Sequence, residues 1–115
     1  MSRIKLAIPT RGDRGLEELV SDVFGRSEKF AILEIADESV VNVEVVENPA
    51  ASYKHGAGPI VVKMLTDMGV TAVAAREFGI GVSTLLEQNG IKKFNVKADI
   101  PVKEAIREIL PKLSE

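Results

Sequence analysis

The chain has 115 residues, enough for one domain with one sizeable core, and its 45% apolar and 28% charged residues are the balance of a globular protein. A net charge of −2 argues against nucleic acid as the main partner, and the absence of cysteine excludes disulfides, a thiol nucleophile and Cys-ligated clusters or zinc. No stretch reads as a signal peptide or reaches transmembrane length, so the expected location is the cytoplasm, with no membrane partner.

Arg3 to Pro9 alternates Ile4, Leu6 and Ile8 with Lys5 and Ala7, which predicts a strand with one well-buried face. Thr10 to Gly15 is rich in turn residues and reads as a loop; its Arg11-Gly12-Asp13 triplet is read as a turn. Leu16, Leu19, Val20, Val23 and Phe24 follow helical spacing, which predicts a short helix ended by Gly25. Phe30 to Ile35 and Val40 to Val46 read as two strands joined by Asp37-Glu38-Ser39 in a hairpin. In the second strand Val41, Val43 and Val45 alternate with Asn42 and Glu44, leaving one face to solvent.

The most informative stretch is Glu47 to Pro59, which holds the chain's single His, its single Tyr, Gly56, Gly58 and Pro59. Glycines admit positive φ and close approach of a ligand to the backbone. Pro59 suits a first helical position, and the unpaired N–H groups of the first turn, at the positive end of the helix dipole, attract an anion. His55 precedes them with two ring nitrogens able to donate a hydrogen bond or bind a metal. With one His, a transition-metal site built by this chain alone is short of ligands. The glycines match neither a Walker loop nor a dinucleotide fingerprint. Residue types alone leave two readings open, a ligand loop or a Gly-rich turn with a solvated His.

Ile60, Val61, Met64, Leu65 and Met68 predict a helix closed by Gly69, with both methionines in the core. Val70 to Ala75 has the continuous apolar character of a buried parallel strand. After Arg76 to Gly81, Val82, Leu85 and Leu86 open a helix closed by Asn89-Gly90, and Ile91 to Val96 holds a last strand. Val102, Ala105, Ile106, Ile109, Leu110 and Leu113 predict a final helix, capped by Asp99, with Pro101 in its first turn and ended or kinked by Pro111.

This order predicts an α/β fold with a five-stranded mixed sheet, one antiparallel strand and helices on both faces. The loops Thr10–Gly15, Glu47–Gly58 and Arg76–Gly81 then emerge at one sheet edge, where open α/β sheets bind ligands, and two of them lead into helix N-termini.

Several short motifs occur in a telling order. They are Ile8-Pro9-Thr10 with its glycine loop, Val20-Ser21, Phe24-Gly25-Arg26, Glu47-Asn48-Pro49, His55-Gly56-Ala57-Gly58, Gly79-Ile80-Gly81 and Val102-Lys103-Glu104-Ala105. With this set, the chain resembles, over nearly its whole length, the dinitrogenase iron–molybdenum cofactor biosynthesis family of the NifX/NafY and NifB C-terminal type. The resemblance implies a single ribonuclease-H-like three-layer domain over 1–115. It also implies a non-enzymatic carrier for the iron–molybdenum cofactor, an iron–sulfur cluster precursor or a related anionic metal–sulfur cluster, working with cofactor-assembly proteins. Cofactor contacts are then expected at His55, Gly56, Gly58, Thr10, Gly12, Gly79, Gly81 and Arg26, with His55 as the metal contact. Val23 stands where some relatives carry a second His.

Two other functions fit parts of the sequence. Asp13 and Glu77 could serve a two-metal nuclease, but the first strand lacks the acid such an enzyme needs between Ile4 and Thr10. Arg11, Arg14, Arg26, Lys54 and Arg76 could instead bind a nucleotide or another anionic small molecule. A regulatory protein-interaction domain is a further alternative.

Overall fold

The computed structural model describes residues 3–113. Its elements are β1 (Arg3–Thr10), a 3-10 turn (Gly15–Glu17), β2 (Lys29–Ala36), β3 (Ser39–Glu47), α1 (Ala57–Asp67), β4 (Ala72–Ala75), α2 (Ile80–Gln88), β5 (Lys92–Asn95) and α3 (Val102–Leu113).

The five strands form one sheet in the order β3-β2-β1-β4-β5. β1 pairs antiparallel with β2 and parallel with β4, β2 pairs antiparallel with β3, and β5 runs parallel to β4. Only β2 therefore opposes the other strands, as expected for a hairpin added to a parallel core. The central position of β1 corrects the single buried face expected for it: Leu6 through Thr10 are all buried. Leu6 and Ile8 pack with Leu33, Ala74 and the α3 residues Val102, Ala105, Ile106 and Ile109. On the opposite face, Ala7 packs with Phe30, Ile32, Val73 and residues of α1 and α2, including Val61, Leu65 and Leu86. Helices thus cover both faces, α3 on one and α1 and α2 on the other. Among the described residues, no helix is long and apolar enough to cross a membrane.

The hairpin turns on Asp37 and Glu38 alone, with φ of 53° and 65°. Ser39 belongs to β3. The pairing slips between Glu34↔Asn42 and Ile35↔Val40, so Val41 is an extra residue on β3 and is half exposed. This bulge interrupts, at Val41, the expected alternation of Val41, Val43 and Val45 with Asn42 and Glu44. α1 ends as predicted at Gly69, where Val70 N–H donates to Leu65 O (3.0 Å) and Gly69 N–H to Thr66 O (3.0 Å). α3 starts after Pro101. Asp99 does not cap it; its carboxylate pairs with Arg11, and the helix runs two residues past Pro111.

The helix predicted over 16–24 is absent. After the 3-10 turn the chain is extended, with bridges Thr10↔Val20 and Leu19↔Pro101. Val20 N–H donates to Ile100 O (2.8 Å), Ser21 N–H to Pro9 O (2.9 Å) and Val102 N–H to Glu18 O (2.8 Å). These tertiary bonds consume the groups a helix would pair internally, so the tertiary setting overrides the local pattern.

Glu18 anchors this strap. Its side chain is 9% exposed, and its carboxylate accepts from Arg14 Nε (3.2 Å), Arg14 Nη2 (3.3 Å) and Leu19 N–H (2.9 Å). The Arg14 hydrogen bonds, followed by that of Leu19, hold its pKa below the usual 4.5. A carboxylate with a depressed folded pKa adds stability above its unfolded pKa and loses it as pH falls through the folded value. Glu18→Gln is therefore expected to cost about 1 kcal/mol at pH 7, a figure that allows for the solvent exposure of Arg14. The gap from wild type should shrink as pH falls below about 4.5. Urea midpoints at pH 7 and pH 3 check this; a gap of equal size at both would rule it out.

Candidate functional site

The C-terminal ends of β1, β3 and β4 lie at one edge of the sheet, and an open cavity of about 390 Å³ sits there. Three segments wall it: Val23–Arg26, Lys54–Ala57 and Glu77–Gly79.

Two helices begin at this cavity. Gly56 caps α1 with φ 76° and ψ 13°, and Gly79 caps α2 with φ 80° and ψ 154°, a region close to glycine-only. Neither N-terminus is closed by a side-chain hydrogen bond. α1 starts two residues earlier than the position of Pro59 suggests, placing Pro59 third in the helix; its missing N–H still falls among those a first turn leaves unpaired. Gly58 does not line the cavity. A Cβ there would stand 2.6 Å from Val82 Cγ2 of α2, so Gly58 lets the two helix N-termini approach. Gly81 lies inside α2, exposed and away from the lining.

The floor is aromatic. Phe24 is 3% exposed and meets Phe30 edge to face at 5.3 Å and Phe78 at 5.2 Å. The rim carries His55, Arg26 and Lys54, all exposed. Among the described residues none of the three has an ion-pair or hydrogen-bond partner. The other edge arginines are engaged: Arg11 with Asp99, Arg14 with Glu18, and Arg76 with Glu77 at 3.2 Å. Two free cations, an imidazole and two helix N-termini without side-chain caps thus face one space, an arrangement suited to a bulky anion.

The structure brings His55, Gly56, Gly79 and Arg26 together and leaves Thr10 and Gly12 outside the lining. Thr10 is buried, with its hydroxyl donating to Gly12 O (2.9 Å). Gly12 sits against Glu18, where a Cβ would fall 2.5 Å from Oε1. Asp13 is exposed and apart from the cavity, whereas Glu77 lines it. Sequence reasoning missed Phe78 and took Phe24 for a helix face. The available signal was scarcity: three of the four phenylalanines gather here.

The residues fit an anionic cluster held by one imidazole with N–H and cationic contacts. They do not fit a metal caged by protein ligands, since the chain has no thiol and the described residues include no group of three or more His, Cys, Asp or Glu placed to share a metal.

Residues 3–112 match the family model described as dinitrogenase iron-molybdenum cofactor. An uncharacterized protein of Methanocaldococcus jannaschii is 34% identical over 88 residues, 76% of this chain and 70% of its own. The NMR structure of a Thermotoga protein named after NifB is 37% identical, covers 95% of this chain and 88% of its own, and superposes with a TM-score of 0.75. The apo form of the orange protein from Desulfovibrio gigas is 27% identical over 94% of this chain and 88% of its own, with a TM-score of 0.84. With nearly every described residue inside the family model, the chain belongs to the dinitrogenase iron–molybdenum cofactor family.

Proposed function

We propose that this protein is a non-enzymatic carrier for an anionic metal–sulfur cluster: the iron–molybdenum cofactor, its precursor or a related cluster. One observation carries the reading. Two helix N-termini without side-chain caps open on a single cavity whose floor is aromatic and whose rim holds His55, Arg26 and Lys54 without partners among the described residues. Backbone N–H groups and cations neutralise the cargo's charge, the phenyl rings exclude water from its sulfide faces, and His55 supplies one bond that can be broken on delivery. A single coordinating side chain suits a protein that must release its cargo. Family membership supports the choice of cargo, with cofactor-assembly proteins as donors and recipients. The ribonuclease-H-like assignment is part of the same proposal, supported by the mixed sheet with one opposed strand.

Anaerobic titration of wild type and His55→Ala with isolated iron–molybdenum cofactor tests it, followed by optical and EPR spectra. Saturable one-to-one binding, weakened about tenfold or more in the variant, is expected. Equal binding by both would remove His55 from the contact set. Inorganic phosphate or a nucleotide binding more tightly than any cluster would overturn the cargo assignment.

A further inference from the structure

The Glu47-Asn48-Pro49 motif has no place in the lining, yet Asn48 is 6% exposed and every polar atom of its side chain is engaged. Its Nδ2 donates to Gly25 O (2.9 Å) and to Ser27 O (2.8 Å), and its Oδ1 accepts from Ala50 N–H (2.9 Å). Two carbonyls and one N–H as partners fix which way the amide points. Gly25 and Arg26 form one wall of the cavity. Ala50 begins the stretch that leads to the opposite wall at Lys54–Ala57, and its carbonyl accepts from Tyr53 N–H (3.0 Å).

We propose that Asn48 is the positioning residue of this site, holding the Gly25–Arg26 wall at a fixed separation from the His55–Gly56 wall. The role rests on the carrier reading for its functional meaning, though not for its geometry. A planar amide is the shortest side chain with two donors and one acceptor. Aspartate keeps the acceptor for Ala50 N–H but turns two donors into acceptors facing carbonyls. Alanine removes all three bonds. Either change frees the wall that carries Arg26, and a site that must order its own walls on binding loses affinity.

The test compares wild type, Asn48→Ala, Asn48→Asp and the core variant Leu65→Ala, as full chains at a temperature where all four are folded. Each is titrated anaerobically with isolated iron–molybdenum cofactor, and amide hydrogen exchange is followed at Ser27, Ala50 and Tyr53. Both Asn48 variants are expected to bind about tenfold more weakly or worse. They should also exchange faster than wild type at Ser27 and Tyr53, while the β1 amides keep their rates. Leu65→Ala should keep its affinity within about twofold, as a distant site does. Wild-type affinity in Asn48→Ala, or an equal loss in Leu65→Ala, would overturn the proposal. If wild type binds no cofactor, the cargo reading fails on its own. Exchange then decides the positioning role, and unchanged rates at Ser27 and Tyr53 in Asn48→Ala would refute it.

Discussion

Phe24→Ala is expected to remove about 3–5 kcal/mol of folding stability, together with the floor of the cavity. The ring is 3% exposed and belongs to the cluster of Phe30, Val61, Leu65 and Ala75, so its loss leaves a void that the neighbouring elements cannot fully close. Two edge-to-face contacts, to Phe30 and Phe78, go with it, each contributing about 0.5–1.5 kcal/mol beyond area burial. Domains of this size are stable by about 5–15 kcal/mol, so the variant approaches the margin of folding. Phe24→Leu refills most of the volume but restores neither aromatic edge, and about 1–2 kcal/mol is expected for it. Urea midpoints for the three chains would show the graded series. A loss below about 1 kcal/mol in Phe24→Ala would mean that the floor is soft and that Phe24 does not set it.

That Phe24 matters could be guessed from the sequence; where it sits could not. Leu16, Leu19, Val20, Val23 and Phe24 satisfy a helical template, yet the segment is an extended strap pinned to Pro9, Ile100 and Val102. The partners at 100–102 lie some eighty positions along the chain, beyond any local window. Elsewhere the patterns sufficed. β1, β2 and the short run Ala72–Ala75 feed both layers, the stripe of α3 faces one, and their order leaves little choice of topology. Glycine positions were legible as special but not in their roles. Gly56 and Gly79 cap the two helices at the cavity, Gly58 admits Val82, and Gly12 admits Glu18. A sequence marks a glycine alike whether it faces a ligand or a neighbouring side chain. Asn48 was hidden for the same reason as the strap, since its two carbonyl partners lie 21 and 23 positions away.

Leu65→Ala should be as costly as most core truncations, about 2–5 kcal/mol, and yet leave the cavity's affinity unchanged. Leu65 is fully buried on the inner face of α1, in the same cluster as Phe24, but it does not line the cavity. The helix backbone should survive, because the closing bonds at Gly69 and Val70 use main-chain groups only. Gly56 and the first turn of α1 lie two turns from the substitution and keep their own contacts with the Gly25 segment and with Val82. The loss should therefore appear as a lower urea midpoint with an unchanged slope, the mark of a native state that is weakened but not expanded. Paired with Phe24→Ala, the variant separates two consequences of one buried cluster. Truncation under the site removes stability and binding together, whereas truncation beneath the middle of α1 removes stability alone. If Leu65→Ala lost cofactor affinity in proportion to its stability, the cavity would be a property of global packing, and the local account of its walls would have to be abandoned.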